Sequence, residues 1–303
     1  MYIDITAAAI SFKPRKFALT ENADMLEQAF NQAADEGAEL AVAPEGILEG
    51  YVVNEIISGE VSDSRMNEVS LSLRSPVIRR FRSLALDRKI CLAFGFAEKT
   101  AAGVFNCAIF IDNLGQIRGK YHKMQLAEGY HDDWWYNRLG KESRAFDTPY
   151  GRGGFMICND RWNEDIARIP VLDGARYLLI PSFGDRSRAQ DAAVLSRARE
   201  NGVPIVEANV GVTLIISKGE IVAVSRKVQG MVLGEIAIPA APSESNRDKH
   251  EQAFLSWRSK EMPKRYRGRL LHLQEHRQDG KPATNTQVHE GSKGRLVDEM
   301  DKD

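Results

Sequence analysis

The chain has 303 residues, 43% apolar and 27% charged, enough for one large α/β domain or two small ones with a substantial core. Its 41 Lys and Arg nearly cancel its 42 Asp and Glu, so no global field draws it to nucleic acid or to an anionic membrane surface. No apolar run reaches the roughly 18 to 20 residues that span a bilayer, and the start, MYIDITAAAISFKPRKF, lacks the basic region of a secretory signal. Cys91, Cys107 and Cys158 are odd in number and form no CxxC pair, which fits a cytoplasmic protein with reduced thiols.

Residues 2–10 predict a strand. Thr20 is placed to cap a helix with Leu26, Ala29, Phe30 and Ala33 on one face and Gly37 at its end. ELAVA (39–43) predicts a buried strand stopped by Pro44, and a long helix is expected at about 66–88. ICLAFGF (90–96) and VFNCAIFI (104–111) follow as strands, and the turn DNLG leads to another ending near Tyr121. Beyond a polar, aromatic-rich loop (127–150) come a strand, GGFMI (153–157), and a helix over 164–173 with Pro170 placed to kink it. RYLLIPS (176–182) is a strand and 187–201 a helix. PIVEAN, TLIIS, IVAVSRK and MVLGEIAIP then supply closely spaced strands. The alternation argues for an α/β domain over 1–240. Residues 241–275 read as a charged extension, helical around 247–260 and carrying Phe254, Leu255 and Trp257; residues 276–303 hold few apolar side chains and are expected to be disordered.

Three places in the domain break their surroundings in one way, each putting a reactive side chain just past a buried strand. They are Glu45 in LAVAPEGILEGY, Lys123 in GKYHKMQL and Cys158 in GGFMICNDRWNED. Open α/β sheets gather ligands at strand carboxyl ends, where such groups converge. Cys158 is the most informative. A strand runs straight into it and polar residues that look like a helix start follow at once, so a helix dipole would lower the thiol pKa and the next amides could face an oxyanion. A buried core thiol is the plain alternative, and Cys91 and Cys107, inside apolar runs, keep that reading. Glu45 could instead cap a loop, and Lys123 could simply be solvated.

Taken together, PEG with GY at 50–51, KYHK with Leu126, and ICND followed by GARYLLIPS resemble the three signature regions of the nitrilase (carbon–nitrogen hydrolase) superfamily, in its order and approximate spacing. GFAEK with FN (95–106), NLGQI (113–117) and RARENGVPIVEAN (197–209) add to the likeness, which covers about residues 1–240. The resemblance implies a four-layer α-β-β-α sandwich, no metal or cofactor, and a triad in which Glu45 matches the general base, Lys123 the catalytic lysine and Cys158 the nucleophile. Glu128 matches a second glutamate that many members carry; Glu98 in GFAEK is read as structural. Departures are Asn163-Glu164 where Pro-Glu is common, and a shortened stretch after Asn209.

Nitrilases proper usually carry Trp after the cysteine, where this chain has Asn159. CNDRW is similar to N-carbamoyl amino acid amidohydrolases, so an amide or N-carbamoyl substrate is expected. Arg161 is then the candidate for a substrate carboxylate, with a surface pair to Asp160 as the alternative. Asn159 is placed at the oxyanion, and Tyr130 and Trp134 are candidate pocket residues or cover for a subunit rim. The apolar set Phe254, Leu255, Trp257 and Tyr266 suggests at least a homodimer. Rivals are nitrile hydrolysis and a non-catalytic scaffold. A redox role lacks a partner cysteine near Cys158, and the superfamily's membrane acyltransferase branch is excluded by the missing apolar spans.

Overall fold

A computed structural model describes residues 2–240 and 247–278. In chain order the elements are β1 (Tyr2–Ser11), α1 (Leu19–Asp35), β2 (Leu40–Val42), α2 (Val53–Ile57), α3 (Met66–Val69), α4 (Pro76–Arg88), β3 (Cys91–Thr100), β4 (Gly103–Ile111) and β5 (Ile117–His122). They continue with β6 (Phe146–Thr148), β7 (Gly151–Phe155), α5 (Glu164–Leu172), β8 (Tyr177–Ser182), α6 (Arg188–Asn201), β9 (Ile205–Asn209), β10 (Val212–Ser217), β11 (Glu220–Ser225), β12 (Gly230–Pro239) and α7 (Arg247–Gln278). The strands form two six-stranded sheets, ordered β12-β1-β2-β3-β4-β5 and β11-β10-β9-β8-β7-β6. Strands β1, β2 and β3 run parallel in the first, as do β7, β8 and β9 in the second.

Alternation along β1 shows how the layers stack. Ile5, Ala7 and Ala9 join the core between the sheets, where β1 lies against β9 and β10 and β3 against β8. Ala8 and Ile10 face the other way, into the core that the first sheet shares with α1 and α4. There Leu26, Phe30 and Ala33 of α1 meet Ile78 and Phe81 of α4, the Phe30 and Phe81 rings edge to face at 5.9 Å. Helices α5 and α6 cover the second sheet through Ile166, Ile169, Val194 and Ala198. The order is helix, sheet, sheet, helix, the four-layer sandwich that the family resemblance implies.

Three local expectations need correction. Thr20 lies inside α1, which starts a residue earlier and has no side-chain cap. The helix expected over 66–88 is two helices, because Leu71 pairs with the edge of β3 through Ala97 and Lys99. Ser75 then restarts the helix by accepting the Ile78 N–H at 3.3 Å, with Pro76 at its first position. At the C-terminus the helix expected around 247–260 continues to Gln278, and Phe254, Met262 and Leu273 turn inward. Phe254 and Met262 are fully buried against their own chain, leaving Trp257 only about one third exposed. Of the apolar set expected to be exposed there, Phe254 is buried, Leu255 and Tyr266 are half-buried, and Trp257 remains at the surface. Residues 279–303 of the tail expected to be disordered lie outside the described residues. Pro170 sits near the end of α5, which closes two residues later.

Candidate active site

Glu45 and Cys158 are tied to one short segment. β2 stops at Val42, Pro44 follows, and the Glu45 N–H donates to the Ser182 carbonyl at 3.3 Å. Room for this turn comes from Gly95 of β3, where a β-carbon would lie 2.7 Å from the Glu45 Cα. On the facing sheet, the chain leaves β7 through Met156 and Ile157 and turns at Cys158 with φ 46°, a left-handed conformation rare for a side-chain-bearing residue. The Cys158 thiol donates to the Phe183 carbonyl at 3.6 Å. Ser182 and Phe183, at the end of β8, therefore anchor both the Glu45 turn and the Cys158 thiol.

Lys123 completes the group. Its Nζ donates to Glu45 Oε1 at 2.6 Å, both side chains have no exposed surface, and Asn106 Nδ2 donates to the same oxygen at 2.7 Å. Burial works against the ammonium, yet the charges of Glu45, Cys158 and Glu128 keep it protonated above the ordinary lysine range. Glu45 Oε2 is buried without a hydrogen-bond partner. Glu128 is buried too; the Tyr51 hydroxyl donates to its Oε1 while its Oε2 is unpartnered. Tyr51 stacks on Phe183 at 5.0 Å, with Lys123 Nζ 5.8 Å from its ring centre.

The Cys158 turn differs from expectation in two respects. Burial, and then the Glu45 charge, push the Cys158 thiol up to about 12; Lys123 and Arg161 oppose this without overcoming it. The short 3-10 turn does not deliver the lowered pKa expected from a helix start. Arg161 is buried, 1% exposed, and spent on internal acceptors. Its Nε donates to the Cys158 carbonyl at 2.7 Å, Nη2 to Ser182 Oγ at 2.5 Å, and Nη1 to Gln190 while lying 2.9 Å from Glu207. Asp160 is not its partner, and each guanidinium nitrogen already has an internal acceptor in place of a substrate carboxylate. Asp160 instead accepts from the Tyr121 hydroxyl, the Ile157 amide and the Gln125 amide, clamping the Lys123 loop to the Cys158 turn.

Asn159 uses its side chain on the Gln125 carbonyl at 3.3 Å, leaving its backbone N–H in the first turn, where amides have no intrahelical acceptor. Trp134 and Tyr130 pack in an aromatic cluster with Tyr51, Phe183 and Tyr266, so they back the site from behind Tyr51. Asn106, Tyr51, Ser182 and Glu207 were not singled out from sequence. The signal available for Asn106 is a polar residue in an apolar strand, and for Glu207 a carboxylate between the apolar residues of β9. Among the described residues one group has metal-ligand chemistry, Glu98, Cys107 and His122, with ligand atoms within 4.8 Å. Glu98 there already pairs with His122 and with Lys120 at 3.4 Å, an ammonium that opposes a cation.

The family model for carbon-nitrogen hydrolases matches residues 6–241. Similar curated proteins include a citrullinase of Francisella tularensis, 28% identical over 59% of this chain and 61% of its own length. An N-carbamoylputrescine amidase of Oryza sativa is 27% identical over 70% of this chain and 68% of its own. The chain thus spans about three-fifths to two-thirds of these relatives. Among solved structures, an amidase from Nesterenkonia sp. superposes with a TM-score of 0.65 at 20% identity, over 84% of this chain and 96% of that one. Another structure of that amidase shows Michael addition of acrylamide at its active-site cysteine.

Proposed function

The chain belongs to the carbon–nitrogen hydrolase family, and from that premise we propose that it hydrolyses the C–N bond of a primary amide or an N-carbamoyl group, releasing ammonia through a thioester on Cys158. The observation that carries this reading is the buried Lys123–Glu45 contact at 2.6 Å beside the thiol, with Glu45 Oε2 unpartnered. A scaffold has no need of a desolvated ion pair next to a thiol. Because the thiol is neutral at rest, attack needs a base. Glu45 takes the S–H proton as sulfur bonds to the carbonyl carbon. Lys123 Nζ and the Asn159 N–H stabilise the oxyanion. On collapse, protonated Glu45 gives its proton to the nitrogen and ammonia leaves. Glu45 then takes a proton from water, which attacks the thioester carbon; on collapse the C–S bond breaks and Glu45 returns that proton to sulfur, freeing the acid and the thiol.

The two orphan oxygens, Glu45 Oε2 and Glu128 Oε2, are acceptors matched to an NH2 group. A nitrile has no such donor, which ranks it second. Lys123 and Arg161, the cations nearest the thiol, are both buried and paired, so support for a substrate carboxylate is gone. The relatives named for N-carbamoylputrescine keep the N-carbamoyl class beside plain amides. Ammonia release should be screened over primary amides, N-carbamoyl amines, N-carbamoyl amino acids and nitriles. Release from an amide or carbamoyl class, reduced about 10⁴-fold or more in Cys158→Ala, is the expected result. An active Cys158→Ala variant, or release from nitriles alone, overturns the reading.

The reading extends to a cytosolic setting, supported by three free thiols, and to assembly at least as a dimer, supported by the family resemblance. Light scattering should give at least twice the 33.9 kDa chain mass; a monomer at micromolar concentration contradicts it.

A further inference from the structure

Beneath the Cys158 turn lies a buried ion pair that the chemistry above does not use. Arg161 and Glu207, on β9, are 1% and 0% exposed and meet at 2.9 Å. Every nitrogen of the guanidinium is engaged: Nε by the Cys158 carbonyl, Nη2 by Ser182 Oγ, and Nη1 by Gln190 and Glu207. Ser182 Oγ in turn donates to Glu207 Oε1 at 2.9 Å. Ser182 is also the residue whose carbonyl accepts the Glu45 N–H, and its neighbour Phe183 accepts the thiol. One guanidinium therefore sits a single hydrogen bond from the nucleophile's backbone and from the residue that anchors the base.

Stability is a poor reason for this pair. Two desolvated ions are often matched or bettered by apolar side chains of the same volume. Glu207 Oε2 is buried with no partner, and burial raises the Glu207 carboxyl to about 7 in spite of Arg161. Geometry is the better reason. Cys158 holds φ 46°, a conformation that persists only where its surroundings over-determine it, and the Arg161 bond to its carbonyl is one such constraint. We propose that Arg161 and Glu207 form a positioning pair that, through Ser182, holds the Cys158 sulfur and the Glu45 carboxylate in attacking register. The inference rests on the assignment of Glu45, Lys123 and Cys158 as the reacting groups.

The test uses the full chain and its best amide or carbamoyl substrate. Arg161→Met combined with Glu207→Leu removes both charges at once, so no lone ion is stranded. Its melting temperature should match or exceed that of the parent. Its kcat should fall about 30-fold or more with KM within about threefold, because misplacing reacting groups costs rate rather than binding. Iodoacetamide alkylation of Cys158 should slow about tenfold or more, a change that a merely structural pair would not produce in a folded protein. Ser182→Ala, a smaller change, should lose about five- to tenfold in kcat at constant KM.

A folded double variant with kcat within about threefold of the parent overturns the proposal, as does a rise in KM alone. If the double variant does not fold, Ser182→Ala decides: unchanged kcat and alkylation overturn the proposal, and loss of both supports it. Cys158→Ala runs alongside. Activity in that variant would overturn the triad assignment itself. An inactive Cys158→Ala beside an unimpaired double variant would overturn only the positioning role.

Discussion

Cys158 combines two properties that pull apart, a partly exposed position and a thiol held up to about 12. Cys91 and Cys107 are fully buried; burial raises the first to about 11 and the second well above the ordinary range. At neutral pH none of the three is a thiolate, so reactivity depends on access and on a neighbouring base. Iodoacetamide should therefore label Cys158 first, as mass spectrometry of digested protein will show, and Glu45→Gln should slow that labelling by about tenfold or more by removing the proton acceptor. Equal labelling of all three cysteines would contradict this. Glu45, Lys123 and Cys158 were legible as candidates because each follows closely on the end of a strand, in the order of the family's signature regions. The partner of Arg161 was not legible: sequence shows an arginine three residues after Cys158, but Glu207 lies 46 positions on, in another strand.

At the scale of elements, the loop carrying Glu128 is held from outside by α7. The Tyr130 N–H donates to the Met262 carbonyl at 3.0 Å, Arg258 donates to the Gly140 carbonyl, and Tyr266 meets Trp134 edge to face at 4.8 Å. Gly129 makes this approach possible. Its φ is 81°, and a β-carbon there would lie 1.8 Å from the Tyr266 amide nitrogen. Gly129→Ala should thus push α7 off the loop and leave Glu128 unfixed. A loss of about 10² in kcat/KM is expected, the scale of a misplacement near 1 Å, with tryptic cleavage within α7 accelerated. Unchanged kcat/KM and an unchanged digest would detach α7 from the site. Helix propensity indicated that α7 exists, and its sparse apolar residues suggested a surface awaiting a partner. Cis packing over the Glu128 loop depends on Gly129 having no side chain, which no periodicity reveals.

At the scale of the whole molecule, three buried carboxyls among the described residues have a raised pKa. Burial takes Glu49 from 4.5 to about 7, Asp160 from 3.8 to about 6, and Glu207 from 4.5 to about 7. For such groups the folded state resists ionisation. The stability they contribute is full below the ordinary values of about 4 and is lost as pH rises through about 6 to 7. The melting temperature should therefore fall between about pH 5 and pH 8. Glu49, whose carboxylate accepts the Ala97 N–H at 3.0 Å, is the simplest of the three to test, because glutamine keeps that acceptor. Glu49→Gln should flatten the slope and be more stable than the parent at pH 8 by roughly 1 to 3 kcal/mol. A parallel pH profile for the two proteins would show that Glu49 does not titrate in this window.

By itself the sequence determined the strand and helix alternation and marked Glu45, Lys123 and Cys158 as candidates, while the layer type came from the family resemblance. Periods of 2 and 3.6, turn residues and strand-end polar groups are local quantities, and all are written in neighbouring positions. Only the tertiary structure decided how those side chains are poised. The raised Cys158 thiol, the Arg161–Glu207 pair and the cover that α7 lays over the Glu128 loop each depend on groups from different elements meeting without water between them. Desolvation and charge pairing act through distance in space, and a one-dimensional pattern does not record that distance.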